Sequence, residues 1–261
     1  MQIEPNTNVL PETLTIETHN LCNRKCWFCK FGLSEVREKS VLMGWELIRR
    51  IVQNLKDFNF SGRLSWYRIN EPLLDKRIEQ IIEYSRKELP KSYLSLVTNG
   101  DLLTKEKLNV LFDSGLDSVG VSVYDEIAFE KFQDISFSRC ILLDRRPKNE
   151  TKFVESRGGN IPLPDSNHFQ DKNCMRPSSM MNVTANGDVV LCSADFFSEV
   201  KVGSLRNQRI EDLWQSEVFK RYRTVLSCIG RSSLRLCSNC TYHGGGHERD
   251  YPETKRRQEF F

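Results

Sequence analysis

The sequence lacks the features that would place the protein in a membrane or on a nucleic acid. No apolar run approaches the ~18 residues that a membrane-spanning helix needs. The opening stretch "MQIEPNTNVLPETL" has no basic region followed by an apolar core, as a secretory signal would have. The net charge of +3 is too small to indicate a nucleic-acid or membrane-surface partner. We therefore expect a cytoplasmic protein with neither kind of partner.

Cysteine, in contrast, is plentiful. With 39% hydrophobic and 28% charged residues, the 261-residue chain has the balance of an ordinary globular protein. It is long enough for one large domain and a small appendage. Nine cysteines in a reducing compartment indicate metal binding or catalysis rather than disulfides.

Strands and helices alternate in the first 160 residues, which predicts parallel β-α-β units. We predict strands at 13–18, 63–69, 93–100, 118–124, 140–144 and 152–156, and helices at 44–58, from Asp75 to Pro90, and from about Thr104 to Gly115. Active sites in such α/β folds lie beyond the carboxyl ends of the strands. Because little room for a helix separates the last two strands, we expect a partial (β/α)6-type barrel.

The β-α rhythm ends after residue 160. Residues 181–192 predict a hairpin, since two β-rich runs flank the tight-turn pair Asn186-Gly187. Residues 211–225 predict a helix. We therefore expect three segments, namely the partial barrel at 1–160, a small second domain at 161–245 and a C-terminal tail at 246–261.

Three cysteines, Cys22, Cys26 and Cys29, follow the first strand with the spacing C-x3-C-x2-C. A structural zinc site needs four ligands, whereas a cubane iron–sulfur cluster normally takes one thiolate for each of its four irons. Three ligands on one loop therefore leave one iron open to a small molecule. The alternative is that two of these cysteines and His19 form half a zinc site.

This cysteine loop, with the aromatic Phe28 before its third cysteine, resembles that of the radical S-adenosylmethionine (SAM) superfamily. The resemblance implies that SAM chelates the open iron and yields a 5′-deoxyadenosyl radical, which abstracts a substrate hydrogen. "RINEPLLD" at 68–75 is similar to the Gly-Gly-Glu-Pro segment of that family, although Ile69 and Asn70 replace the glycines. The resemblance places Glu71 at the SAM amino group. It also implies SAM contacts from Phe28, Asn99 and Ser122.

A second group of cysteines comprises Cys174, Cys192, Cys237 and Cys240, with Gly187 five residues before Cys192. Four thiolates complete either a cubane cluster or a structural zinc site, and their spacing does not decide between them. Behind a radical SAM barrel, this pattern resembles the twitch domain, the shortened form of the SPASM auxiliary-cluster domain. No cysteine follows Cys240. The resemblance thus implies SAM and two 4Fe–4S clusters as cofactors.

The resemblance covers nearly the whole chain and is closest to twitch enzymes of aminoglycoside antibiotic biosynthesis. These oxidise a secondary alcohol of an aminocyclitol to a ketone, and an auxiliary cluster accepts the substrate electron. It implies an aminocyclitol or sugar-like substrate and an electron donor such as flavodoxin or ferredoxin. Arg157, in "SRGGN", would bind the substrate hydroxyl, and Asp195 would be a further substrate contact. Period-two alternation along the second strand would place Tyr67 on the side of Glu71, facing SAM and substrate.

Three other functions stay open. A radical epimerase would return a hydrogen atom from a cysteine, for which Cys140 and Cys228 are the remaining candidates. A peptide-modifying maturase often has an added recognition domain, and a first strand near residue 13 leaves no room for one in front. A zinc-stapled binding protein would have no use for the intact C-x3-C-x2-C loop and Glu71.

Overall fold

The computed structural model describes residues 10–33, 39–133, 139–146, 156–161, 172–242 and 244. Its framework is one sheet whose eight strands are β1 (Thr13–Ile16), β2 (Arg63–Ser65), β3 (Tyr93–Thr98), β4 (Ser118–Val123), β5 (Cys140–Asp144), β6 (Met180–Val183), β7 (Asp188–Val190) and β8 (Lys201–Ser204). The strand order across the sheet is β5-β4-β3-β2-β1-β6-β7-β8.

The α-helices in the described part of the chain are α1 (Lys30–Leu33), α2 (Trp45–Asp57), α3 (Ile78–Glu88), α4 (Lys105–Asp113), α5 (Glu126–Gln133), α6 (Arg176–Ser179), α7 (Ile210–Trp214), α8 (Glu217–Thr224) and α9 (Arg235–Ser238). Helices α2 to α5 alternate with strands β1 to β5, as crossovers between parallel strands require. None of these helices is long and apolar enough to cross a lipid bilayer.

Strand β1 lies at the centre of the sheet. It pairs in parallel with β2 on one side and with β6 on the other, and β2, β3, β4 and β5 continue in parallel. Strands β6, β7 and β8 pair antiparallel. The hairpin of the second cysteine region therefore belongs to the same sheet as strands β1 to β5. This parallel-dominated sheet confirms the predicted α/β class.

Local sequence signals account for the helices that cover the sheet. The apolar residues of α2 recur at helical spacing and are buried, through Leu47, Ile48, Ile51, Val52 and Leu55. Helix α4 begins where the Thr104 hydroxyl accepts a hydrogen bond from the Lys107 amide at 3.1 Å. It ends before Gly115, whose φ of +102° lies in the region that favours glycine.

Three predicted elements differ from the structure. Strand β2 ends at Ser65, not at residue 69. Helix α3 has Arg77 at its N-cap rather than Asp75, because the Asp75 carboxylate instead accepts from the Arg77 amide and guanidinium. The predicted helix at 211–225 is broken in two, because the Ser216 hydroxyl caps α8 by accepting from the Phe219 amide. The predicted strand at 152–156 lies, apart from Ser156, outside the described residues.

Candidate active site

A cavity of about 340 Å³ opens at the carboxyl ends of the parallel strands. It is lined by the loop after β1 and by residues at or just beyond the ends of β2, β3, β4 and β5. The predicted site residues that it brings together are Cys22, Cys26, Cys29, Phe28, Tyr67, Glu71, Asn99, Ser122 and Arg157. We call this space the three-cysteine cavity.

The cysteine loop is folded tightly so that its three thiols meet at one cavity. The Cys29 amide donates to the Cys26 carbonyl at 3.0 Å. A Cβ at Gly32 would lie 2.2 Å from the Cys26 carbonyl oxygen, so only glycine fits beside this turn. The Arg24 guanidinium pairs with Asp101 at 2.5 Å and anchors the loop to the segment after β3.

The electrostatics of the loop suit the cationic iron–sulfide core of a cluster. Burial raises the pKa of Cys22 to about 11 and also raises the pKa values of Cys26 and Cys29. Neighbouring cysteines contribute to these rises, since adjacent thiolates repel one another. The thiols are therefore protonated at neutral pH until iron displaces their protons. The three side chains fit a cluster with one open iron.

His19 is not part of this ligand set. Its Nδ1 accepts a hydrogen bond from the Leu21 amide at 3.0 Å, and its side chain is not among the residues that line the three-cysteine cavity. Burial lowers the pKa of His19, which favours the neutral imidazole. The structure therefore does not support the half zinc site.

The Glu71 carboxylate joins the ends of β2 and β3. Its Oε1 accepts from the Thr98 hydroxyl at 2.7 Å and from the Leu73 amide at 3.0 Å, and its Oε2 accepts from the Asn99 amide at 2.7 Å. Burial raises the pKa of Glu71, and these three donors oppose the rise. Because a carboxylate has about four acceptor positions, these donors leave about one for a ligand of the cavity that Glu71 lines.

The segment from Tyr67 to Glu71 lines the cavity as a loop and not as the strand that the sequence predicted. Since β2 ends at Ser65, period-two alternation does not apply, and all five residues of the segment line the cavity. A buried ion pair holds the segment in place. The Arg68 guanidinium lies 3.2 Å from the Glu17 carboxylate, which also accepts from the Ile69 amide at 3.3 Å.

Arg157 stands at the start of a strained turn. Its φ is +48°, and Gly158 and Gly159 follow with φ of +67° and +83°. The residue before it, Ser156, donates through its hydroxyl to the Asn239 carbonyl at 2.6 Å. The turn is therefore docked on the loop that carries the last two cysteines. Non-glycine residues in this region of φ persist where surrounding structure enforces them, often at functional sites.

The second group of cysteines surrounds a smaller space, which we call the four-cysteine cavity. Cys174, Cys192, Cys237 and Cys240 all line it. Burial raises the pKa of Cys174 to about 11 and that of Cys237 further. Four thiolates are the number of protein ligands that a fully ligated cubane cluster takes. The residues that line this cavity therefore fit such a cluster.

Asp195 does not occupy the substrate-contact position that the family resemblance implied. The side chain is fully buried, and its two oxygens accept from the Glu199 amide at 2.8 Å and the Val200 amide at 2.9 Å. It lines neither cavity. Its carboxylate therefore stabilises the turn after Cys192 rather than contacting a substrate.

Several lining residues were missed by sequence reasoning. Some were detectable in principle, since Arg176 lies two residues after Cys174, Tyr124 lies two residues after Ser122, and Arg24 and Arg68 lie inside the cysteine loop and the "RINEPLLD" segment. The fold brings the others to the cavity, and they are Thr15, Val97, Thr98, Leu143, Arg145, Met180, Ser193 and Phe196.

Comparison with known proteins agrees with this geometry. Residues 16–125 match the model of the radical SAM superfamily, and residues 174–241 match the SPASM iron–sulfur cluster-binding domain. The chain is 28% identical, over 241 residues, to the S-adenosyl-L-methionine-dependent 2-deoxy-scyllo-inosamine dehydrogenase of Niallia circulans. That match covers 87% of this chain and 91% of the relative.

Two solved structures show the same likeness. The crystal structure of BtrN in complex with AdoMet and 2-DOIA superposes with a TM-score of 0.79 at 26% identity, covering 90% of this chain and 94% of the other. BtrN in an open conformation gives a TM-score of 0.70 at 25% identity, with coverage of 89% and 93%.

Proposed function

The chain is a radical SAM enzyme with a C-terminal SPASM-type iron–sulfur domain, and we propose that it oxidises a secondary alcohol of an aminocyclitol or sugar-like molecule to a ketone. The observation that carries this proposal is the adjacency of two cysteine-lined sites. Ser193 lines the three-cysteine cavity and its neighbour Cys192 lines the four-cysteine cavity. A substrate in the first site would thus lie beside an electron acceptor in the second.

The cofactors supply the chemistry that side chains cannot. When bound, SAM and the first cluster supply a carbon radical that removes one hydrogen atom, and the second cluster supplies a one-electron acceptor. The carbinol C–H hydrogen leaves as an atom, the hydroxyl proton leaves to water, and one electron leaves to the acceptor. The carbinol carbon and its oxygen are then joined by the C=O bond of the ketone. An external one-electron donor such as flavodoxin or ferredoxin would prime the first cluster.

Glu71 would hold the amino group of SAM. Glu71 lines the cavity, and the three protein donors keep its carboxylate in a fixed orientation. Asn99 is oriented in turn, because its side-chain amide donates to Asn23 at 2.8 Å. Phe28 and Ser122 line the same cavity and would complete the SAM site.

Arg157 and Tyr67 would bind the substrate. The Arg157 guanidinium lies over the ring of Phe196, with Cζ 5.4 Å from the ring centroid, which restricts its movement. Since guanidinium keeps its proton in proteins, Arg157 would donate a hydrogen bond to the oxygen as its negative charge develops. It would not act as the base.

The competing epimerase function has no support in the position of either spare cysteine. Cys140 begins β5, whereas Leu143 and Arg145 line the cavity at its other end, about 10 Å further along at ~3.3 Å per residue. Cys228 is exposed. Neither cysteine lines the three-cysteine cavity, so neither is placed to return a hydrogen atom to substrate.

The test is turnover of anaerobically reconstituted protein with 2-deoxy-scyllo-inosamine deuterated at every carbinol carbon. We expect a ketone that has lost one carbon-bound deuterium and one hydroxyl hydrogen, with that deuterium recovered in 5′-deoxyadenosine. The Cys140→Ala and Cys228→Ala variants should give the same product. A product that stays an alcohol and has exchanged one carbon-bound deuterium for a hydrogen from ordinary water would instead establish epimerisation. If this compound does not react, related aminocyclitols and sugars with a free secondary hydroxyl are the next probes.

A further inference from the structure

Arg176 lies in the wall between the two cavities. Among the described residues, it alone lines both of them. It follows Cys174 by two residues, at the start of α6, and only 7% of it is exposed. Its guanidinium stacks on the ring of Tyr242, with Cζ 3.4 Å from the ring centroid. Because Tyr242 is itself buried, the charge of Arg176 is held in a defined position between the sites.

The four-cysteine cavity is electropositive apart from its thiols. Arg176 and Arg231 line it, and no carboxylate of the described ranges does. Arg231 is 1% exposed and donates to the carbonyls of Tyr242 at 2.6 Å and Asn173 at 3.1 Å. Both guanidinium groups share the lining of this cavity with Cys174, Cys192, Cys237 and Cys240. Both cations therefore lie beside the ligands of the expected cluster.

A fixed cation beside such a cluster has a predictable effect. A cubane held by four thiolates has a net negative charge, which becomes more negative when the cluster accepts an electron. A buried cation stabilises the more negative form to a greater extent, because Coulomb interactions are strong where water is excluded. Net charge and surroundings set the reduction potentials of these clusters. Removing the cation should therefore lower the potential.

We propose that Arg176 raises the reduction potential of the auxiliary cluster, so that the cluster accepts the electron released by the substrate. This inference rests on the proposed function, in which a second cluster accepts the electron. It adds that Arg176 tunes the reduction potential of that cluster. The substrate radical gives up one electron to the cluster and its hydroxyl proton to water, and the ketone remains. Arg176 stays protonated throughout and is neither oxidised nor reduced.

The test isolates the auxiliary cluster. In a protein whose Cys22, Cys26 and Cys29 are replaced by Ala, only the four-cysteine cluster contributes to the electron paramagnetic resonance signal of a redox titration. At a fixed solution potential, we expect Arg176→Gln to lower the ratio of reduced to oxidised cluster about tenfold. This change corresponds to a midpoint potential that is lower by about 59 mV for a one-electron couple. Arg176→Lys should retain most of the wild-type potential, because it keeps the charge.

A matched control is available in the same domain. Arg223 is 5% exposed, stacks on Trp214 and lines neither cavity, so Arg223→Gln should leave the potential unchanged. Arg176→Met is a second neutral variant, in case the amide of Gln disturbs cluster retention, and should lower the ratio to a similar extent.

Two results would overturn the inference while leaving the proposed function intact. The first is an unchanged potential in either neutral variant with its cluster in place. The second is an equal shift in Arg223→Gln, which would show a general effect of buried charge. Wild-type protein that binds no iron at the four cysteines would overturn both proposals, and iron analysis distinguishes that case.

Discussion

The guanidinium of Arg68 and the carboxylate of Glu17 form an ion pair at 3.2 Å whose side chains are 1% and 3% exposed. Arg68 also donates to the carbonyl of Asp195, and Glu17 accepts from the Ile69 amide. This one pair therefore connects the end of β1, the segment that carries Glu71 and the turn after Cys192. It links the wall of the three-cysteine cavity, which Arg68 lines, to the turn after Cys192.

Breaking this pair should be costly. Arg68→Met leaves the Glu17 charge buried without its partner, which we expect to destabilise the fold by about 3–5 kcal/mol. The measurement is denaturant unfolding of the cluster-free protein. Arg209→Met is the control, because Arg209 pairs with Asp57 and Glu211 at the surface, and its stability should barely change. Equal stability of the two variants would show that the Arg68–Glu17 pair contributes little.

The division of the cysteines predicts the iron content. Two cubane clusters require about eight iron and eight sulfide ions per chain after anaerobic reconstitution. Replacing Cys22, Cys26 and Cys29 together by Ala should leave about four of each, and replacing Cys174, Cys192, Cys237 and Cys240 should do the same. Cys140→Ala should have no effect, since its thiol lines neither cavity. Stoichiometric zinc retained after the first replacement would contradict the second cluster.

The raised pKa of Glu71 predicts a pH dependence of SAM binding. The ionised carboxylate accepts from the SAM amine, so affinity should be present above the pKa of Glu71 and lost as pH falls through it. Because burial raises that pKa, the loss should begin at a higher pH than the ~4.3 of an ordinary glutamate would imply. Calorimetric titration with SAM between pH 8 and pH 5 measures this.

Thr98 supplies the matched variant for that experiment. Its hydroxyl donates to the Glu71 carboxylate at 2.7 Å and so stabilises the ionised form. Thr98→Val keeps the carboxylate but removes this donor, and should move the loss of affinity to higher pH. Glu71→Ala should bind SAM weakly at every pH while both clusters remain. A Thr98→Val profile identical to wild type would argue against Glu71 as the titrating group.

The turn at Arg157 predicts a link between substrate binding and the auxiliary site. The φ of Gly158 is +67°, in the region that favours glycine. A Cβ there would lie 2.7 Å from Leu236 Cδ1 and 2.8 Å from the Leu236 carbonyl oxygen. We expect Gly158→Ala to displace the loop of Cys237 and Cys240, lowering both iron retention and turnover several-fold. Iron analysis of the purified protein and the turnover assay measure the two effects.

Gly44 is the control for that substitution. A Cβ there would meet nothing within 4 Å, and its φ of −68° suits any residue. Gly44→Ala should therefore change neither iron retention nor turnover. If Gly158→Ala behaves in the same way, the turn is not rigidly docked on the cysteine loop.

Much of the framework was predictable because its signals are local. The apolar spacing of α2, the Thr104 cap and the Gly115 terminus of α4 each depend on residues within a few positions of one another. The parallel strands then place the cysteine loop and the ends of β2 to β5 at one edge, since successive β-α-β units all point the same way. Prediction was wrong where a side chain bonds to a partner other than the expected one. The Asp75 carboxylate, for example, accepts from the Arg77 guanidinium, and the helix begins after Arg77.

The sequence by itself determined which thiols each site offers, three on one loop and four in the second cysteine region. In a cubane cluster, thiolate number decides whether one iron stays open, and this property does not depend on the fold. Only the tertiary structure decided which residues share those sites. Arg68 meets Glu17 across 51 positions, Arg176 comes to both cavities, and Asp195 is buried against backbone amides. Such contacts depend on how β1 pairs with β2 and β6, and burial then selects partners that no local pattern records.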